Sequence, residues 1–366
     1  MGKKLLIVAV FLSQPLLWAE KPNLNQEGRP WLVVGEMSLT FGFYDWMIPT
    51  LFQLHDRQAI GVGMITAGLG FGLPFFLTQN ANVSYAQANL AFHGGGFGLV
   101  HGMLVNGVLE IYEHQERFTL AASLAENIGG YALAGLTGMS AGSSQLIANF
   151  GYFGAGYGAS VPVLLTSSSH PVNSRLGYGM PLLGSVAGMA GATVLGKNTR
   201  YSYGDAMTQL NLGYLGAGWG LNLYSFFLPK EGATRDVDGK LLYVSGLIGN
   251  IGGLYATHRL VGDRHLSGGA GWMLFAATYG GGAFASGIAW LFGPKNIDAT
   301  YTHVITTAGL IGATATFAIT YQALKGKPEN HSRFEGQIDP SGLLGLTLAM
   351  MRHKDYFGGP IVTIRF

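Results

Sequence analysis

The sequence predicts a mainly α, membrane-embedded body made of Gly-zipper helical-hairpin repeats, with short β segments at both ends. Three observations carry this reading. A glycine motif recurs along the chain, long stretches hold no charged residue, and helix-capping residues fall in step with the repeat. The motif is clearest at Gly216-x-Gly218-x-Gly220, preceded by Asn211, and returns as Gly154-x-Gly156-x-Gly158 with Asn149 and Gly94-x-Gly96-x-Gly98 with Asn89. Weaker copies follow at Gly280–Gly282, with Ala276 in the Asn column, and at Gly309 and Gly312, with Thr307. Self-similarity over most of a chain points to one continuous repeat body.

Charge punctuates the repeats. Asp, Glu, Lys and Arg are missing from 58–109, 127–174, 206–229, 266–294 and 299–324, and gather in the short intervals between. About 20 apolar residues span a bilayer as a helix, so the two longest blocks each have room for two passes. Nine residues before the Asn column stand Asn80, Ser140, Ser202, Ser267 and Asp298, all side chains that accept the free N–H groups of a first helical turn. The preceding arms are Met64–Gly72, Glu126–Gly130, Gly184–Gly188 and Gly249–Gly253, which gives four hairpins and one extra arm.

Glycine is 58 of 366 residues, and each one inside a helix costs about 1 kcal/mol relative to Ala. Small residues four apart offset that cost by letting helix backbones approach closely in lipid, where dispersion and polar contacts drive association. The alternative fold is an all-β outer-membrane barrel. Leu215, Ala217, Trp219, Leu221 and Leu223 alternate with Gly216, Gly218, Gly220 and Asn222, a pattern that also separates lipid from lumen. A barrel strand needs only about 9–11 residues before a polar turn, so the long uncharged blocks favour helices.

At the N-terminus, residues 1–19 carry Lys3-Lys4, an apolar run Leu5–Leu12 and Leu17-Trp18-Ala19, the parts of a secretory signal. The 20–57 segment follows, and within it Trp31–Tyr44 alternates as a strand with one apolar face. The repeats occupy 58–326 and a β-rich tail 327–366, where Phe334–Ile338, Leu344–Met350 and Pro360–Phe366 read as strands. Val362, Ile364 and Phe366 alternate up to a terminal Phe. This end resembles the C-terminal signature of bacterial outer-membrane proteins. The resemblance implies the outer membrane and a dedicated insertion machinery as a partner.

Composition narrows the chemistry. With Lys3 and Lys4 removed, 19 basic residues face 19 acidic ones, so no excess of positive charge points to nucleic acid. Zero Cys excludes disulfides and thiolate chemistry. Gly138-Met139-Ser140-Ala141-Gly142 matches the hydrolase G-x-S-x-G turn, but Ser140 falls in the cap column between two helices. Glu110, Glu113 and His114 belong to a polar run at a helix end. No enzyme constellation, metal set or cofactor motif stands out.

One group of residues does: Glu126, an ionisable residue in an apolar arm, is a functional candidate in a membrane. Asn127, Asn250, the column Asn89, Asn149 and Asn211, and His93 and His101 join it as polar side chains among glycines, a candidate polar path. The expected function is a non-enzymatic integral membrane protein of the bacterial cell envelope, a scaffold or pore. Its partners are the lipid bilayer and, as an oligomer, further copies of the chain. A β-barrel channel of the outer membrane and an inner-membrane transporter are the alternatives.

Overall fold

The computed structural model describes residues 24–167, 172–198, 201–227, 235–261, 265–294 and 299–325. These residues are mainly helical and contain no strand. The chain opens with α1 (Arg29–Leu39), which runs through a π-helical turn (Thr40–Tyr44) into α2 (Asp45–Leu51). Long helices follow: α3 (Asp56–Leu77), α4 (Tyr85–Leu109), α5 (Gln115–Thr137), α6 (Ala141–Leu165) and α7 (Ser174–Asn198). The remainder are α8 (Tyr203–Phe227), α9 (Arg235–Val261), α10 (Gly268–Leu291) and α11 (Ala299–Leu324).

Two expectations are corrected at once. The 31–44 stretch is helix rather than strand, because Leu32, Val33, Gly35 and Leu39 form a helical buried stripe while its outward face is also apolar. Apolar residues on both faces mimic alternation. The all-β alternative likewise gives way, since 213–223 lies wholly inside α8. The leader, Asp298 and the 327–366 tail with its terminal Phe lie outside the described residues.

Caps explain where the arms begin. Ser140, Ser202 and Ser267 accept the N–H of Ser143, Asp205 and Ala270, as their column predicts. The first copy departs from it. Ser84, not Asn80, caps α4, in a reciprocal capping box with Gln87.

The helices pair as α4 with α5, α6 with α7, α8 with α9 and α10 with α11, and 29–51 pairs with α3. The described residues thus form five hairpins, phased differently from the expected four and a half. The arms of Asn89, Asn149, Asn211 and Ala276 are each the first arm of a hairpin and pack on the arm that follows, while the arm of Thr307 is the second arm of the last one. Glycines form the seams. A Cβ on Gly216 would collide with the carbonyl of Gly249, and one on Gly249 with the carbonyl of Gly216. Gly154 and Gly184 stand in the same reciprocal relation, with Gly158 against Met180 and Gly188 against Phe150 extending it. In the second hairpin Gly94 meets the carbonyl of Glu126 and Gly98 that of Ala122. The middle glycines Gly96 and Gly156 face open space.

First arms pack on first arms of the next hairpin, and they run parallel. Gly28 abuts Ser84 of the next cap, Gly142 abuts Tyr201, and Gly204 abuts Ser267. The beginnings of these arms converge in aromatic rings: Trp31 meets Tyr85 at 5.6 Å, Tyr85 meets Tyr203 at 4.7 Å, and Trp31 stacks on Trp272 at 6.2 Å. The first and last hairpins therefore touch at this end. Second arms lie outside. Three of them, in the ranges Asp56–Leu77, Ser174–Gly196 and Tyr301–Leu324, are long and apolar enough to cross a membrane. Met64, Leu136, Leu183, Ile248 and Ile319 point outward from this outer row.

Candidate functional site: polar rungs between hairpins

The seams between hairpins carry many of the buried polar side chains, Ser123, Ser185, Asn149 and Asn211 among them. Seventeen residues beyond the caps Ser84, Ser140 and Ser202 stand His101, Tyr157 and Trp219. Each reaches across to the second arm of the next hairpin. His101 Nε2 meets Ser185 Oγ at 2.9 Å, the Tyr157 hydroxyl donates to Asn250 Oδ1, and Trp219 Nε1 donates to Thr314 Oγ1 at 2.9 Å. Tyr44, the last residue of the π turn, makes the corresponding bond from the first hairpin to Ser123 Oγ at 2.7 Å. All four junctions between consecutive hairpins are bridged this way.

The rungs settle the register of the repeat. They place Gly98 level with Gly154 and Gly216, one helical turn from the alignment by Gly94. They also set Ser123, Ser185 and Asn250 in one column, each buried. Ser123 Oγ donates to the Gly95 carbonyl at 2.7 Å and Asn250 Nδ2 to the Gly213 carbonyl at 2.8 Å. Aromatic knobs reinforce the seam, with Phe97 lying where a Gly151 side chain would stand and Phe153 doing the same at Gly213. Removing one rung by Trp219→Phe should cost about 1 kcal/mol, and Thr314→Val the same. The double variant should cost less than the sum, a coupling that a double-mutant cycle of detergent unfolding measures.

The polar residues singled out from sequence sit on these seams. Asn149 Nδ2 donates to the Ala206 carbonyl at 2.7 Å and to Gln209 at 3.2 Å, and its own oxygen accepts from Gln145. Asn211 Nδ2 donates to Thr278 Oγ1 at 2.8 Å, Asn89 Nδ2 to Ser144 Oγ at 3.1 Å, and His93 Nδ1 lies 2.9 Å from the Tyr152 hydroxyl. Asn127 Nδ2 donates to Glu36 Oε1 at 2.6 Å and to the Ala91 carbonyl at 3.1 Å. The Asn89 and His93 bonds share the junction between the second and third hairpins, Asn149 bridges the third and fourth, Asn211 the fourth and fifth, and Asn127 the first and second.

Glu126 and His101 are brought together. Glu126 Oε1 is 2.8 Å from His101 Nδ1, whose other nitrogen holds Ser185. The His side chain is 6% exposed and the Glu side chain 34%. A hydroxyl, an imidazole and a carboxylate in this order match a nucleophile, its base and an orienting acid. Ser185 is fully buried, however, and no substrate carbonyl can reach its Oγ in this packing. Tyr157–Asn250 and Trp219–Thr314 fill the same geometry with side chains that cannot serve as a base.

Sequence reasoning passed over Ser123, Ser185, Tyr44, Tyr157, Trp219 and Thr314. The seventeen-residue spacing from the caps is the signal that finds two of them, Tyr157 and Trp219. It also passed over Asp205, fully buried, which accepts from the backbone of Ser202 at 2.9 Å and Leu266 at 2.8 Å and faces His265 Nδ1 at 3.0 Å. Of the residues read as a polar helix end, Glu110 pairs with Arg175 at 3.0 Å, and the guanidinium holds its carboxyl below the usual range. Compared with protein-family models, curated proteins and solved structures, the chain matches none.

Proposed function

We propose that this is a non-enzymatic integral membrane protein of the bacterial cell envelope, in which Gly-zipper hairpins form a rigid scaffold within the bilayer. One observation carries the reading: glycine seams bring backbone against backbone inside each hairpin while large apolar side chains turn outward. In water the outward residues would seek a core, and in lipid they already have their solvent. Helix length agrees, since α3 to α11 run 22 to 27 residues and about 20 cross the hydrocarbon. Among the described residues, the long helices satisfy their own N–H and C=O groups, as a segment crossing lipid must.

The rungs support a scaffold rather than a pore. Asn149, Asn211 and Asn250 are spent on bonds between arms, and each junction is filled by a side chain such as Phe97 or Phe153. The leader-like N-terminus and the terminal-Phe resemblance support the cell envelope, with the outer membrane as the expected address. Alkaline carbonate washing of the membranes tests the reading, followed by density separation of inner and outer fractions. The protein should stay in the pellet and, purified in detergent, give a helical circular dichroism spectrum. Release into the wash would overturn membrane embedding.

A further inference from the structure

Three second arms carry an arginine in their first turn, at the end of the body where the hairpins turn: Arg57 on α3, Arg117 on α5 and Arg175 on α7. Their surroundings differ. Arg175 is committed to Glu110 at 3.0 Å, and the stripe running on from Arg57 meets Gly61 and Gly68, which face open space. Arg117 has no hydrogen bond or ion pair among the described residues, and it lines a trough of about 440 Å³ together with Leu51, Phe52, Leu120, Ala121 and Leu124. We propose that this trough binds one zwitterionic phospholipid. Its phosphate lies on Arg117, its ammonium lies by the acidic turn that precedes Arg117, and an acyl chain follows the apolar walls.

A helix rises about 1.5 Å per residue, so Leu120, Ala121 and Leu124 follow Arg117 at about 4, 6 and 10 Å along α5. Residues three or four apart share a helix face, and Ile128, one turn further, is 65% exposed and extends the same stripe. Leu51 and Phe52, at the end of α2, form the facing wall. The trough therefore presents one cation at the start of α5 and hydrocarbon from there inward, the order in which a phospholipid presents its head and its chain. In a body that spans the bilayer, the reading on which this site rests, the start of α5 lies at the level of the headgroups.

Charge selects the head. A bare guanidinium at the edge of hydrocarbon is costly, and its planar fork matches a phosphate through two parallel bonds. The same turn also carries acid. Glu110 is taken by Arg175 and Glu116 faces His114 at 3.6 Å, while Glu113, four residues before Arg117, is exposed and outside any ion pair among the described residues. A free anion, or a head with negative charge alone, is attracted by Arg117 and repelled by Glu113 and Glu116. A head that holds an ammonium next to its phosphate meets both signs, and a primary ammonium donates charge-assisted hydrogen bonds that a quaternary one cannot.

The test is native mass spectrometry of the full chain in detergent, with phosphatidylethanolamine, phosphatidylglycerol or phosphatidylcholine added at equal concentration. Wild type should retain one phosphatidylethanolamine in preference to either of the others. Arg117→Gln should weaken that binding about tenfold or more, the loss expected of a charge-assisted bond, and Glu113→Gln should erase the preference over phosphatidylglycerol. Ala121→Phe, at an exposed position, should block the place of the chain without touching the charges. Arg57→Gln, in the first turn of α3 and outside the trough, should bind as wild type does. Inorganic phosphate should leave the lipid in place. Phosphatidylglycerol bound as tightly as phosphatidylethanolamine, equal losses in Arg57→Gln and Arg117→Gln, full retention in Ala121→Phe, or displacement by inorganic phosphate would each overturn the proposal. Circular dichroism matching wild type qualifies each variant, and the comparison of lipids on wild type decides the matter where a variant does not fold. Carbonate washing tests membrane embedding separately, so a protein that stays in the pellet and shows no lipid preference loses this site alone.

Discussion

Gly216→Leu should open the fourth hairpin, and Gly154→Leu the third. At both positions the new side chain would have to occupy the space of a backbone carbonyl, that of Gly249 or of Gly184, which cannot rotate away as a side-chain terminus can. The two arms must part along their length, and overpacking of this kind costs about 1–3 kcal/mol, or more where backbone is the obstacle. Even Gly216→Ala should destabilise. Gly156→Ala should do the reverse: nothing lies within contact of a Cβ there, and Ala gains about 1 kcal/mol of helix propensity over Gly. Detergent unfolding of the four variants checks this. If Gly156→Ala and Gly216→Ala behave alike, the seams do not hold the hairpins together.

Much of this fold is written in local signals. Ser140, Ser202 and Ser267 begin their helices where a cap should, because capping depends only on a side-chain oxygen and the N–H groups one turn on. The pairing of arms is not local. Every arm is apolar on several sides and every loop is short, so neither periodicity nor loop length says whether Glu126–Gly130 packs on the Asn89 arm before it or the Asn149 arm after it. The structure chooses the former.

Register was hidden for a related reason. Glycines four residues apart map onto themselves when an arm is shifted by one turn, so Gly94, Gly98 and Gly102 offer the second hairpin several equally good alignments with Gly154 and Gly158. The cap at Ser84 and the bond from His101 to Ser185 remove the ambiguity, but the second is visible only in three dimensions. The same holds for the site. Glu126 stood out from sequence as a carboxylate in an apolar arm, and His101 as a polar residue on another. Their contact depended on the register that the glycines left open. Ser185 gave no signal at all, being one small residue among many.

The strand expected at 31–44 shows the opposite failure, in which a local pattern was present and misleading. Trp31, Val33, Gly35, Met37 and Leu39 do alternate, but Leu32 and Val34 between them are apolar as well. A helix that packs on α3 and α4 and leaves Trp31, Val34 and Phe41 exposed satisfies such a sequence as readily as a strand. The π turn at Thr40–Tyr44 then adds a residue to one turn of the helix, and Tyr44 reaches Ser123 from its end.

Asp205→Ala should be among the most damaging single changes in the chain, because this carboxylate joins two hairpins at the start of an arm. Its two oxygens accept from Ser202 N, closing the cap of α8, and from Leu266 N, fixing the chain as it enters the fifth hairpin. His265 adds a third bond at 3.0 Å. The carboxylate also lies in the first turn of α8, where the unpaired N–H groups favour negative charge. Truncation leaves two backbone donors without partners, one of them buried with Leu266, and each such loss costs about 1–3 kcal/mol. A total of about 2–6 kcal/mol follows from the same range. Asp205→Asn keeps one acceptor oxygen and should retain part of that stability, whereas His265→Ala removes only the half-exposed partner and should cost least. Unfolding midpoints in detergent should therefore fall in the order wild type, His265→Ala, Asp205→Asn, Asp205→Ala. Should Asp205→Ala unfold with wild type, the fourth and fifth hairpins are held by their glycine and aromatic contacts and the Asn211–Thr278 and Trp219–Thr314 bonds, and the carboxylate is incidental to the junction.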